Sequence, residues 1–429
     1  MKTTIATQMM RATPTMAMIA PNASIGSTRL RLVAGSGSGR MAPGMSSSGV
    51  CATRRPHLMQ YFHAGRSVSP QFAHFPMPMR LPPVQLPSLW VAYVGTVNSL
   101  PLVIAHRGAS GYRPEHTRSA YELAIEQGAD ALEPDIVASK DGVLVIRHEN
   151  EISGTTDVAS RPEFADRRAA REIDGTKLTG WFTEDFTWAE LATLTARERL
   201  PKVRPRNDEA AGRQGILRLA DLIELVEGAP RRIGLVVEVK HAAYFASIGL
   251  PLDVLFASEL SAAGWTDDDR LTVESFEKGA LLAIRDRGVV ASLVFLVDAK
   301  GAPADEVASK GKKASPYSAY LTRGGLAALA AEVDGISVHK RLILPKGAPA
   351  SAAGVTDLVE RAHAAGLSVF CWTLRAENKF LPKPLRRGES VGEFGDWRSE
   401  FDVIFRSGVD GVFADQPDLA IEARESLQQ

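Results

Sequence analysis

The sequence predicts an α/β protein built on a closed (β/α)8 TIM barrel, with a lobe inserted after the second strand and its hairpin. From Leu102 onward, short β-type runs alternate with helix-type segments, the pattern of a parallel sheet with crossover helices. Eight such runs remain once one hairpin return is set aside. They occupy residues 99–429, a span that suits a barrel of about 250 residues carrying insertions. An open doubly wound sheet is the alternative, and strand count and size favour the barrel.

Taken in order, the strand-type runs are 102–106 (LVIAH), 131–137 (ALEPDIV), 234–239 (GLVVEV), 271–276 (LTVESF), 292–297 (SLVFLV), 335–338 (GISV), 368–373 (SVFCWT) and 409–414 (VDGVFA). Each is short, apolar and rich in β-branched or aromatic residues. The run 143–147 (VLVIR) follows the turn Lys140-Asp141-Gly142 and reads as a hairpin return from the second strand. Helical patterns fall near 118–127, 218–227, 252–263, 277–287, 324–332, 355–365, 398–407 and 418–427. The stretch 149–215, rich in charge, Thr and Gly, is long for a connection and is expected to form the inserted lobe or lid. A second long connection spans 376–400.

The formal net charge of zero averages two unlike parts. Residues 1–100 hold nine Lys or Arg and no Asp or Glu, which leaves 41 basic against 50 acidic residues in 101–429. All ten methionines lie at or before Met79. Pieces such as GSGSG and PMPMRLPP cannot bury a core, so residues 1–98 are expected to lie outside the fold. Three readings of that segment stand: an organellar transit peptide, a secretory leader interrupted by Arg11, or an extension upstream of the true start. The last implies a cytoplasmic protein, the others an organellar, secreted or periplasmic one. No run of eighteen apolar residues occurs, so no membrane-spanning helix is expected, and nothing overall points to nucleic acid. Two cysteines, Cys51 and Cys371, make no disulfide framework; Cys371, in VFCWTL, is expected to be a buried, inert thiol.

In such a barrel, residues at the carboxyl ends of the strands converge on one mouth, and the ionisable residues concentrate there. His106 and Arg107 end the first strand, Glu133 and Asp135 sit on the second, His148 ends the hairpin return, and Glu238 and Lys240 end the third. Residues two apart on a strand share a face, so Glu133 with Asp135, and Glu238 with Lys240, point together. Three carboxylates in one mouth repel one another, and one lysine cannot neutralise them. A hard divalent cation, Ca²⁺ or Mg²⁺, held by Glu133, Asp135 and Glu238 would do so; buried ion pairs with Arg107 and Lys240 are the plainer reading. Two histidines suit a general acid and a general base, and Arg107 and Lys240 suit a phosphate. Metal-assisted phosphoryl chemistry follows, without a substrate.

The stretches HRGASGYRPEHT (106–117), GADALEPDIVASKDGVLVIRHE (128–149), VVEVK (236–240), VESF (273–276), CWTLRAEN (371–378) and GVDGVFADQPDLA (408–420) resemble, in order, the glycerophosphodiester phosphodiesterases, most of all the bacterial branch with a large insertion after the second His motif. The resemblance runs from about Leu102 to the C-terminus. It implies a β/α barrel that depends on a divalent metal and hydrolyses small glycerophosphodiesters, such as glycerophosphocholine or glycerophosphoethanolamine, to glycerol 3-phosphate and an alcohol. It places the catalytic histidine pair on His106 and His148, the metal ligands on Glu133, Asp135 and Glu238, and the phosphate or glycerol contacts on Arg107 and Lys240.

Two positions depart from the family pattern. His148-Glu149 stands where His-Asp is usual, and Pro114-Glu115-His116-Thr117 where Pro-Glu-Asn-Thr is usual. Glu149 is expected to orient its histidine from behind; His116 is expected to cap the first helix or lie at the surface. Phe276 and Trp372 either line the substrate pocket, Trp372 stacking on a choline-like cation, or pack in the core. His339, Lys340 and Asp415 are weaker candidates for the mouth, and Asp221, Glu224 and Glu227 form a solvated helix face. Two other functions compete: a lipid-cleaving, phospholipase D-like barrel, which should carry apolar loops at its mouth, and a barrel that binds a phosphodiester without cleaving it, which should lack a histidine or a ligand. The inserted lobe is strongly charged, and every expected residue is present.

Overall fold

The computed structural model describes residues 100–428 apart from 212 and 349; the expectation for residues 1–98 therefore lies outside the described residues. Ten strands form one sheet: β1 (Leu102–His106), β2 (Ala131–Glu133), β3 (Asp135–Ala138), β4 (Leu144–Ile146) and, after a separate hairpin of β5 (Ala169–Ile173) and β6 (Thr176–Gly180), β7 (Gly234–Val239), β8 (Leu271–Ser275), β9 (Ser292–Val297), β10 (Gly335–His339), β11 (Ser368–Leu374) and β12 (Gly411–Ala414). Parallel pairing runs β1-β12-β11-β10-β9-β8-β7, and β7 returns to β2, which pairs with β1. The sheet is therefore a closed barrel, with β2 and β3 sharing one position. β4 pairs antiparallel to β3 as the hairpin return.

The second strand was expected to be continuous over 131–137. It breaks at Pro134, which has no N–H to give to a ladder, and resumes as β3.

Alternation along the strands divides the core in two. Leu102, Ile104, Ala131, Val236, Val294, Phe370 and Phe413 fill the barrel, while Val103, Ala105, Leu132, Val237, Val273, Phe295 and their neighbours meet the surrounding helices. The next residue of interior parity beyond the apolar fill is His106, Glu133, Glu238, Trp372 or Asp415. The period of two that buries the floor thus delivers polar groups to the mouth. Cys371, of opposite parity, is fully buried and unpaired, as expected.

The eight expected helices form within a few residues of their expected ends, for example Leu252–Ala263 and Lys278–Asp286. Four further short helices, Ala242–Ser247, Ala304–Lys310, Tyr317–Tyr320 and Lys340–Ile343, lie in strand-to-helix connections on the mouth side. The segment 149–215, for which no strand or helix was expected, holds regular structure: β5 and β6 form a hairpin, and Phe164, Trp181 and Phe186 bury against the main core, with Arg167 over both phenyl rings. Asp221, Glu224 and Glu227 are part-exposed or exposed, and Asp221 also caps its own helix by accepting from the Arg218 amide.

Candidate active site

At the end of β1 the chain turns sharply. Arg107 takes φ +60° and Gly108 φ +81°; a Cβ on Gly108 would lie 2.7 Å from the Ala120 carbonyl carbon, so only glycine lets this loop seat against the helix Arg118–Glu126. His106 Nδ1 meets Asp415 Oδ1 at 2.7 Å across the β1–β12 seam. Asp415 Oδ2 accepts from Arg204 Nη2 and Arg375 Nε, both at 2.6 Å. A carboxylate can only accept, so Nδ1 carries the proton and Nε2 is left for chemistry. Burial, then Arg107, pushes His106 down to about 4 against the pull of Asp415. Burial alone would raise Asp415, yet Arg375, Arg204 and His106 hold it well below the usual range.

The second imidazole repeats the device. His148 Nδ1 meets Glu149 Oε1 at 2.5 Å, and Arg199 clamps Glu149 at 2.9 Å (Nη1–Oε1) and 2.6 Å (Nη2–Oε2). Glu149 therefore orients its histidine despite the extra methylene. Burial, then Arg107 and Lys240, lowers His148. Arg199 also grips Glu115 through Nε at 2.7 Å and Nη2 at 2.6 Å, and Glu115 in turn holds Arg107 at 3.0 Å.

The three carboxylates form a cluster of their own. Ligand oxygens of Glu133, Asp135 and Glu238 come within 4.8 Å of one another, all buried. Register explains this: Asp135 pairs with Glu238 across β3–β7, and Glu133 with His106 across β1–β2. Lys240 Nζ binds Glu238 Oε1 at 2.7 Å. Asp135 Oδ1 has no hydrogen-bond partner. Burial, then Asp135, pushes Glu133 well up; burial pushes Glu238 to about 8 against Lys240. Burial opposes but Lys240, His148 and Arg107 hold Asp135 well down. An oxygen-only donor set that is dry, crowded and incompletely paired fits a hard divalent cation.

His116 overturns the expectation of a cap or surface residue. It is fully buried at φ +58°, its Nε2 meeting Asp135 Oδ2 at 2.8 Å and its Nδ1 the Tyr121 hydroxyl at 2.8 Å. Thr117, one residue on, is the cap. Glu274, aligned with Glu238 across β7–β8, was also missed; it lines the cavity with Oε2 unpaired.

His106, His148, Arg107, Lys240, Phe276 and Trp372 all line one cavity of about 440 Å³, as do Glu133 and Glu238. The structure thus brings the expected residues together, with Asp135 behind the wall. Phe276 and Trp372 stand edge to face at 5.8 Å, Lys240 Nζ lies 5.7 Å from the Phe276 ring centroid, and His339 packs against Trp372 at 4.8 Å. Lys340 lines the cavity while pairing with Glu400 at 2.6 Å.

Residues 106–419 match the model of the glycerophosphoryl diester phosphodiesterase family. The chain belongs to this family. A glycerophosphodiester phosphodiesterase of Arabidopsis thaliana is 33% identical over 330 residues, covering 74% of this chain and 84% of the relative. One from Haemophilus influenzae is 26% identical over 351 residues, covering 76% and 90%. Among solved structures, a putative glycerophosphoryl diester phosphodiesterase from Silicibacter pomeroyi superposes with TM-score 0.55 at 19% identity, covering 79% of this chain and 98% of that one, a likeness of fold. The chain is accordingly an enzyme, a glycerophosphodiester phosphodiesterase that hydrolyses glycerophosphodiesters and has the acidic triad for a divalent metal.

Proposed function

We propose that this phosphodiesterase hydrolyses small glycerophosphodiesters, glycerophosphocholine and glycerophosphoethanolamine among them, to sn-glycerol 3-phosphate and the free alcohol, with His106 and His148 as the acid–base pair. The observation that carries the reading is the pairing of two imidazoles in one cavity, each with Nδ1 backed by a carboxylate, at 2.7 and 2.5 Å, so that both Nε2 atoms are left for substrate. Arg107 and Lys240, both on the cavity wall, hold the phosphate oxygens. One imidazole takes the proton of the attacking oxygen, from water or from the glycerol 2-hydroxyl. The other gives a proton to the departing alcohol, and a phosphodiester anion between them favours its protonated form. Glu133, Asp135 and Glu238 would hold Ca²⁺ or Mg²⁺, whose charge when bound offsets that on the phosphate. Arg341, Arg375 and Lys379 border this cavity, which suits a soluble, charged substrate.

The test is release of glycerol 3-phosphate from glycerophosphocholine by the full chain, stripped with chelator and then given Ca²⁺ or Mg²⁺, beside His106→Ala and His148→Ala. Metal-dependent release that falls by a factor of about a thousand in each variant is expected. A folded protein that releases nothing from any glycerophosphodiester with either metal refutes the reading.

A further inference from the structure

Beside the catalytic cavity lies a second one, of about 590 Å³, and the two share Glu238, Lys240, Phe276 and Asp298 as common wall. It is bounded by the tip of the inserted hairpin (Glu172, Asp174), by the ends of β7 and β8, and by the segment from Asp298 to Tyr317. Its charge is one-sided. Lys240 is taken up by Glu238 at 2.7 Å, and His241 by Asp174 at 2.6 Å. Among the described residues Glu277 and Asp298 form no ion pair, whereas the catalytic cavity also carries Arg341, Arg375 and Lys379.

Glu277 is the most telling of these. It is only 3% exposed, yet it lines the cavity. Its Oε2 accepts from the Ala243 amide at 2.9 Å, and its Oε1 has no hydrogen-bond partner. Its own amide donates to Ser275 Oγ at 3.1 Å, and Ser275 donates to the Val239 carbonyl at 2.9 Å, so the backbone that carries this side chain is anchored to the ends of β7 and β8. A buried carboxylate with one oxygen unpaired is costly unless a ligand supplies the donor or the charge. Phe276, Tyr317 and Tyr244 line the same cavity, with Phe276 and Tyr317 edge to face at 6.1 Å. Carboxylates interleaved with aromatic rings attract an ammonium group and do little for an uncharged polyol.

A phosphodiester seated at His106 and His148 has two ester arms. The glycerol arm is uncharged and common to every substrate of the class, so the charge of this cavity can only serve the other. Resting on the function proposed above, we propose that the second cavity is the leaving-alcohol subsite, that it selects a positively charged amino alcohol over neutral or anionic ones, and that Glu277, with Asp298 at the rim, determines this specificity.

The test is kcat/KM of the full chain, loaded with its metal, on glycerophosphocholine, glycerophosphoethanolamine, glycerophosphoglycerol and glycerophosphoinositol, for the wild type, Glu277→Gln and Asp298→Asn. Glutamine keeps the carbonyl that accepts from Ala243, and the melting temperature and circular dichroism of each variant, read apart from activity, verify its fold. Preference of the wild type for the two amino-alcohol esters by about tenfold or more is expected, with each variant losing most of it through those two substrates alone. Equal wild-type rates on all four substrates, or variants that slow all four alike, overturn the subsite while the phosphodiesterase reading stands. Turnover of none of the four overturns that reading and the subsite with it.

Discussion

Arg199 ties the inserted lobe to both halves of the site, and its replacement gives the sharpest test of that link. Its guanidinium makes four charge-assisted contacts of 2.6–2.9 Å, two to Glu115 and two to Glu149. Glu115 is 8% exposed at its side chain and Glu149 30%, against 28% for Arg199, so the cluster is partly wet. Breaking a fully buried pair costs roughly 3–5 kcal/mol; with this exposure about 2–3 kcal/mol of stability is expected to be lost in Arg199→Met. The catalytic effect is separate. Without the clamp Glu149 is free to swing from His148 Nδ1, and Glu115 loosens its hold on Arg107. Loss of an orienting partner of this kind is expected to lower kcat about ten- to a hundredfold, with little change in KM. Arg199→Lys keeps the charge but not the fork, and should fall between the two. Steady-state kinetics on glycerophosphocholine, run well below the melting temperature of each variant, reads both parameters. A destabilised Arg199→Met with kcat within about twofold of wild type would show that the lobe merely covers the barrel and does not orient His148.

Asp415→Asn should lower kcat by a factor of a hundred or more, because an amide can turn a donor toward His106 and hold the wrong tautomer; a change under about threefold, with the fold verified by circular dichroism, counts against the His106–Asp415 couple. Removing divalent ions with chelator should lower the melting temperature, and Ca²⁺ or Mg²⁺ at a hundred times its Kd should restore about 2.7 kcal/mol; Glu133→Gln and Asp135→Asn should abolish that response. A melt indifferent to metal in the wild type would leave the triad as ion pairs. Glu198 offers a pH test away from the barrel floor: burial raises it from the ordinary 4.5 to about 7, against donors on Leu200 and Asn207. A raised carboxyl contributes stability that is full below about 4.5 and lost as the pH climbs through about 7. Relative to Glu198→Gln, the wild type should lose on the order of 3 kcal/mol between pH 4.5 and 8 in urea denaturation, and parallel curves for the two proteins would refute the assignment.

Much of the site was legible because the barrel is a local code. Glu133 and Asp135 are two residues apart, and their common direction survives the break at Pro134 because one residue of extended chain still separates them. The same parity argument, applied to Thr272 and Glu274 as it was to Val236 and Glu238, would have found Glu274. The weak standing given to Asp415 was an underestimate, since its strand end faces His106 across the seam where the barrel closes. His116 was misplaced for a specific reason: position before a helix cap predicts exposure, but φ +58° turns the residue inward against Asp135.

The sequence by itself determined the order of the barrel strands, the inward line of each, and hence that His106, His148, Glu133, Asp135 and Glu238 converge, because a period of two and the carboxyl-end rule are properties of short stretches of chain. Only the tertiary structure decided what stands behind them. Arg204 reaches Asp415 across 211 positions, Arg199 reaches Glu115 across 84, and the hairpin tip at Asp174 meets His241 across 67. Such contacts arise where a charged loop settles on a closed barrel, and they leave no periodicity in the chain from which to read them.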